Sequence, residues 1–263
     1  MLLRRPLTRL RLYKRLHAEI QHYSSSSQSP LKPPVSSANH HDLLTFRDHA
    51  RSTDLSPTST VYVGTTYEYL CTQTLLRLGF KDLIRTGGRS DKGIDLLGHW
   101  TLPSKTSPTK EVPVIVQCKA VSRKPGPEMI RELEGALSNA PAEWRGEDAV
   151  GVLCAKREAT GGVREAVRMS GKGGVWVMIE DLDEGVVTTG REGQREGGIR
   201  RGGRVKQILW NERVGKMVGE GVGAGVRYVP GVGGRGMEKE VCLMVDGVVW
   251  VPEMGKVEQE DKT

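Results

Sequence analysis

Asp95 closes a glycine-rich turn, Gly87-Gly88-Arg89-Ser90-Asp91-Lys92-Gly93-Ile94, and a later apolar stretch, Val114-Ile115-Val116, runs into Gln117-Cys118-Lys119. An acidic residue leaving such a turn, then a strand that carries Gln-x-Lys, is an arrangement suited to metal-dependent cleavage of a phosphodiester. Along a strand, residues i and i+2 share a face. Gln117 and Lys119 therefore point one way, while Val116 and Cys118 face the opposite layer. Burial does not explain a lysine on one face of a strand this apolar. Beside Asp95, it becomes a candidate for a site.

Positioning these residues takes a sheet and its covering helices. Thr65-Thr66-Tyr67-Glu68 opens a predicted helix through Leu70, Cys71, Leu75 and Leu78, which Gly79 is placed to end. Strands are predicted over 80–85, 94–100 and 112–121, with a polar, proline-bearing connection over 101–111. A helix follows over 127–140, with Ile130, Leu133 and Leu137 at i, i+3 and i+7. A buried strand over 149–155, a short helix over 163–169 and a strand over 175–179 complete the order αβββαβαβ. That order predicts the α/β class, a mixed β-sheet flanked by helices.

After Asp181 the texture changes. Residues 182–204 alternate Gly, Arg and Glu, the composition of a disordered insertion. Residues 205–263 form a Gly-rich C-terminal extension that either completes the domain or makes a small accessory unit. Within it, a helix is expected over 205–218, with Ile208, Leu209 and Trp210 as its apolar side. A hairpin is expected of 241–245 and 248–251 around Asp246-Gly247.

The chain of 263 residues has a formal charge of +7, but six basic residues against Glu19 put +5 of it in residues 1–23. The remaining +2 does not by itself argue for a nucleic-acid binder. The basic segment is rich in Arg and Leu and passes into Ser24–Ser27, which is the pattern of a mitochondrial presequence and not of a secretory one. Residues 24–59 read as a flexible leader, in which His40, His41 and His49 are solvated and not metal ligands. Cys71, Cys118, Cys154 and Cys242 form no Cys-x-x-Cys pair, so buried reduced thiols are expected. No apolar run is long enough to span a membrane.

Over residues 60–181 the chain resembles the Mrr-like branch of the restriction-endonuclease-like, PD-(D/E)xK nucleases. The resemblance rests on Gly64-x-x-Tyr67-Glu68 at the helix start, Gly79-Phe80, Gly93-Ile94-Asp95 and Gln117-Cys118-Lys119. With the presequence ahead and Leu209-Trp210-Asn211 behind, the whole also resembles a fungal mitochondrial family named for being required for respiratory growth. The first resemblance implies that Asp95 and Gln117, with the Cys118 carbonyl and Glu68, hold Mg²⁺ (or Mn²⁺). Lys119 would then stabilise the phosphate transition state or orient the attacking water. Asp95, Gln117, Lys119 and Glu68 are the implied catalytic residues. Gln117 stands where many of these nucleases carry a carboxylate, which removes a negative charge from the site.

Two functions follow as expectations. One is a mitochondrial-matrix, Mg²⁺-dependent endonuclease acting on DNA, with RNA as the second choice, in genome maintenance or expression. The other is a catalytically silent nuclease fold that binds nucleic acid or serves assembly. The oligomeric state is open, a dimer included. Glu68 has a competing role, as the partner of Thr65 in a capping box. Asp95 has one as a turn carboxylate. Arg85, Arg89 and Lys92 are candidates for backbone contacts, and Gly231-x-Gly233-x-x-Gly236 lacks the helix that a dinucleotide site requires.

Overall fold

In the computed structural model, which describes residues 39–86, 93–104, 110–181, 202–231 and 236–252, strand β3 (Glu111–Lys119) buries residues on both faces. Such a strand needs a layer on each side. Val112, Val114 and Val116 enter one core and Ile115 enters the other. The strand sits inside a six-stranded sheet ordered β1 (Phe80–Arg85), β2 (Leu96–Thr101), β3, β4 (Val150–Ala155), β5 (Gly173–Glu180) and β6 (Arg204–Trp210). β1, β2 and β3 pair antiparallel, β3, β4 and β5 pair parallel, and β6 returns antiparallel to β5. The chain is therefore α/β with a mixed sheet flanked by helices, as expected.

The parallel pairs require crossovers, and helices supply them. Helix α3 (Glu128–Asn139), between β3 and β4, and α4 (Gly161–Met169), between β4 and β5, cover one face. Ile130, Leu133, Leu137, Val163 and Val167 pack there with Ile115, Leu153 and Trp176. The other face is covered by α2 (Thr60–Leu76) and α5 (Glu212–Val218), whose Tyr67, Leu70, Cys71, Leu75, Val214 and Val218 join Val114, Val116, Val152 and Val177. Helix α2 begins five residues earlier than expected, because Ser59 caps it by accepting from the Tyr62 amide. It ends before Gly79, whose φ of +85° and whose contact with the Trp250 ring leave no room for a Cβ.

The flexible leader expected over 24–59 is corrected in its described part. Asp42 caps a helix α1 (Leu43–Ser52): its carboxylate accepts from the Thr45 amide at 2.7 Å, and Thr45 Oγ1 accepts from the Asp42 amide at 3.1 Å. Phe46 and Ala50, one turn apart, are buried, and Phe46 meets Tyr62 and Tyr69 of α2. His40 is not solvated as expected but shares a 2.7 Å hydrogen bond with the Tyr69 hydroxyl. The presequence (1–23), residues 24–38 and residues 182–201 of the expected insertion lie outside the described residues. No helix among the described residues is long and apolar enough to cross a membrane.

The helix expected over 205–218 is instead strand β6 followed by α5. Ile208 and Leu209 pack into opposite cores, as alternate strand residues do. Asn211 marks the switch. It is buried, accepts from the amides of Val214 (3.2 Å) and Gly174 (3.3 Å), and donates to the carbonyls of Ser170 (3.2 Å) and Lys172 (2.6 Å). Asn211→Ala is expected to cost about 2 kcal/mol, since it removes a cap and strands buried backbone groups; urea unfolding measures it, and a loss below about 0.5 kcal/mol would mean water replaces the amide.

Beyond α5, β7 (Val222–Pro230), β8 (Met237–Val245) and β9 (Val248–Val249) make a separate antiparallel sheet. The expected Asp246-Gly247 turn joins β8 to β9 with both residues at positive φ, 50° and 76°. Gly231 and Gly236 close the β7–β8 connection through a 2.7 Å backbone bond, and a strand follows, not a helix. Residues 232–235 lie outside the described ones.

Candidate functional site

The Asp95 amide donates to the Val116 carbonyl at 2.9 Å, and the Asp95 carbonyl accepts from the Thr86 amide at 3.0 Å. These bonds carry the β1–β2–β3 ladder one step past the Leu96↔Val116 pair, and so set Asp95 opposite Gln117. Asp95 Oδ2 accepts from the Cys118 amide at 2.5 Å. Asp95 thus does bond a nearby amide, the competing role expected of it, here across to β3. Gln117 is only 5% exposed, and its buried Oε1 finds no hydrogen-bond partner among the described residues. Lys119, on the same face as Gln117, reaches α3: its Nζ lies 3.0 Å from Glu132 Oε2. The lysine side chain is 26% exposed and the glutamate 54%.

Gly93 lies against this amide. Its φ is +79°, and a Cβ there would stand 3.0 Å from Gln117 Nε2. Gly93→Ala is expected to destabilise the fold by only about 1–2 kcal/mol, the usual penalty of a left-handed alanine, and to displace the Gln117 amide, which would weaken Mg²⁺ binding if Gln117 is the ligand that the resemblance implies. Calorimetric Mg²⁺ titration beside thermal melting separates the two; unchanged Mg²⁺ affinity would show that Gln117 is no ligand.

Glu68 is not a capping residue, because α2 starts at Thr60 and Thr65 is buried in its interior. Its carboxylate engages Arg85 of β1 instead, at 2.6 Å and 2.7 Å. Burial works against the Arg85 charge and the Glu68 carboxylate outweighs it, which holds Arg85 above its ordinary value. The Arg85 guanidinium also lies 4.9 Å from the centre of the Tyr69 ring. Of the basic residues considered for backbone contacts, Arg85 is thus committed within the fold, whereas Arg89 and Lys92, and with them Asp91, lie outside the described residues.

The family model described as required for respiratory growth protein 7 matches residues 59–113 and 104–218. That span runs from the cap of α2 to the last residue of α5 and holds the whole six-stranded sheet. The chain belongs to the required for respiratory growth protein 7 family. An uncharacterized mitochondrial protein of Schizosaccharomyces pombe is 37% identical over 111 residues, which are 42% of this chain and 43% of that protein. The chain thus spans less than half the length of this relative. No solved structure matches. The family's link to respiratory growth and the relative's location both support the mitochondrial expectation.

Glu68, Asp95, Gln117 and Lys119 all fall inside the stretch matched to the respiratory-growth family, and so does Glu132, which sequence reasoning passed over. Its only signal was its place beside Ile130 and Leu133 at the edge of the apolar face of α3. The second sheet and α1 lie outside the matched residues.

Proposed function

We propose that this chain is a mitochondrial-matrix, Mg²⁺-dependent phosphodiesterase of restriction-endonuclease-like fold, acting on DNA in preference to RNA. The observation that carries the reading is Gln117 Oε1, without a partner among the described residues and buried opposite Asp95 with Lys119 on its own face. A buried acceptor with no donor costs about 1–3 kcal/mol, and a cation is a partner that would satisfy it. The Asp95 carboxylate offers about four lone-pair sites, and the Cys118 amide takes one of them. The residues therefore fit a hard cation. Asp95 and Gln117 Oε1 would hold it, with the Cys118 carbonyl as a further oxygen donor; Glu68, the fourth donor that the resemblance implies, is paired with Arg85 and would have to turn from it to join them. When bound, Mg²⁺ would polarise the phosphate and lower the pKa of an attached water. Lys119 would leave Glu132, an exposed ion pair worth less than about 1 kcal/mol, and meet the charge that develops on the phosphate. The order αβββαβαβ supports the fold assignment.

A specific observation favours a second reading, a silent nuclease fold that binds nucleic acid. Lys119 is neutralised by Glu132, and Glu68 by Arg85. Incubation of the purified chain with double-stranded, single-stranded and branched DNA and with RNA, in Mg²⁺ or Mn²⁺, decides between them. Metal-dependent cleavage is the expected result. Binding without cleavage on every substrate would establish the second reading.

A further inference from the structure

Three of the four cysteines meet beneath α2, on the face of the sheet opposite Gln117. Cys71 descends from α2, Cys118 from β3 and Cys154 from β4. Their Sγ atoms all lie within 4.8 Å of one another. Cys118 and Cys154 are register partners on adjacent parallel strands, so their side chains leave the sheet together. Cys71 follows Tyr67 by one helical turn and closes the group from above. All three are free thiols, and Cys71 and Cys154 are wholly inaccessible to solvent.

We infer that these three sulfurs form a trigonal thiolate site for a soft monovalent d¹⁰ ion, Cu(I). Thiolate donors select Cu(I), Zn²⁺ or iron–sulfur clusters, and the donor count separates them. Structural Zn²⁺ takes four ligands, and iron–sulfur clusters are held by four cysteines, or by two cysteines and two histidines in one variant. Here, among the described residues, no histidine or carboxylate joins the three sulfurs. The fourth cysteine, Cys242, belongs to β8 and donates to the Gly225 carbonyl at 3.8 Å. Cys71 and Cys154 are closed to solvent, and Cys118 alone of the three is partly exposed.

The dimensions agree. With metal–sulfur bonds of about 2.3 Å, three sulfurs around a trigonal ion stand about 4 Å apart, so closure needs a shift of less than about 1 Å. Binding replaces the thiol protons, which pass to solvent, and leaves net negative charge on the sulfurs. The Lys156 ammonium, 3.9 Å from Asp181, lies 5.2 Å from the centre of the ring of Tyr67, one helical turn before Cys71. Packing alone asks only for small apolar side chains at these positions. One disulfide would use two of the sulfurs and leave the third idle. A bound ion uses all three, and pins α2 to β3 and β4. The site also adjoins the candidate active site without depending on it, because the Cys118 amide holds Asp95 while the Cys118 thiol faces the other way.

The test is an anaerobic Cu(I) titration of the reduced full chain against bicinchoninate, a chromophoric Cu(I) chelator, with X-ray absorption at the copper edge. One Cu(I) per chain, bound by three sulfurs and no nitrogen or oxygen, is expected, together with a melting temperature that rises on loading. Cys71→Ser and Cys154→Ser should each weaken binding by more than the roughly 10–100-fold that loss of an outer partner costs, and Cys242→Ser should leave it unchanged. The wild-type stoichiometry and absorption spectrum hold even if a variant fails to fold. Failure to withhold copper from the chelator, a sphere containing nitrogen or oxygen, or a four-coordinate Zn²⁺ bound in preference would each overturn the proposal. So would a Cys118–Cys154 disulfide in the protein as isolated.

Discussion

Lys119→Ala is expected to lower Mg²⁺-dependent cleavage by about 10²–10³-fold, the usual loss when one group that stabilises a developing oxyanion is removed. Its melting temperature should stay that of the wild type. The separation follows from where the lysine sits. It ends β3 with its ammonium at the surface, and the bond it gives up is an ion pair with an exposed glutamate at 3.0 Å, worth less than about 1 kcal/mol. The alanine variant therefore reports chemistry and not folding. Glu132→Gln sharpens the result. If Glu132 only parks the ammonium between turnovers, releasing it should tighten substrate binding and leave cleavage intact. A Lys119→Ala protein that cleaves as fast as the wild type would remove Lys119 from the reaction and leave a binding role for this face.

The strand that carries this site was legible because two independent periods agree there. Val112, Val114 and Val116 alternate with Ile115 and Gln117, and the structure places the two sets in opposite layers. Strand β6 was not legible. Val205, Ile208 and Leu209 satisfy a helical spacing as well as a strand, and so short a run cannot decide between them. The open edge of β5 and the cap at Asn211 decided it. Helix α1 was hidden for another reason: only Phe46 and Ala50 are buried, and its cap reads Asp-x-x-Thr where the familiar box has Glu third. The opposite facing of Cys118 and Gln117 could be read from strand parity. The meeting of Cys118 with Cys154 and Cys71 could not, because it depends on which strand pairs with β3 and on where α2 lands.

Glu240→Ala should be the most destabilising single change outside the main sheet, at about 3 kcal/mol. Glu240 lies on β8 with its side chain 1% exposed. Oε1 lies 3.2 Å from Nη1 of Arg77, and Oε2 accepts from Nε (3.0 Å) and Nη2 (2.8 Å) of Arg227. Arg77 is the C-cap of α2 and also donates to the Gly203 carbonyl just ahead of β6. One carboxylate therefore ties the second sheet to α2 and to the entry of β6. Breaking a buried pair from one side costs about 3–5 kcal/mol, because the partner charge is left without compensation. Here the lower end applies, since the arginine side chains are 28% and 36% exposed and can turn toward water. Urea unfolding should show a lower midpoint with an unchanged slope; a loss below about 1 kcal/mol would mean that both guanidiniums already exchange the carboxylate for solvent. The second sheet lies outside the family-matched residues, yet Arg77 lies within them. Loosening Glu240 should for that reason reach α2, the helix that carries both Glu68 and Cys71.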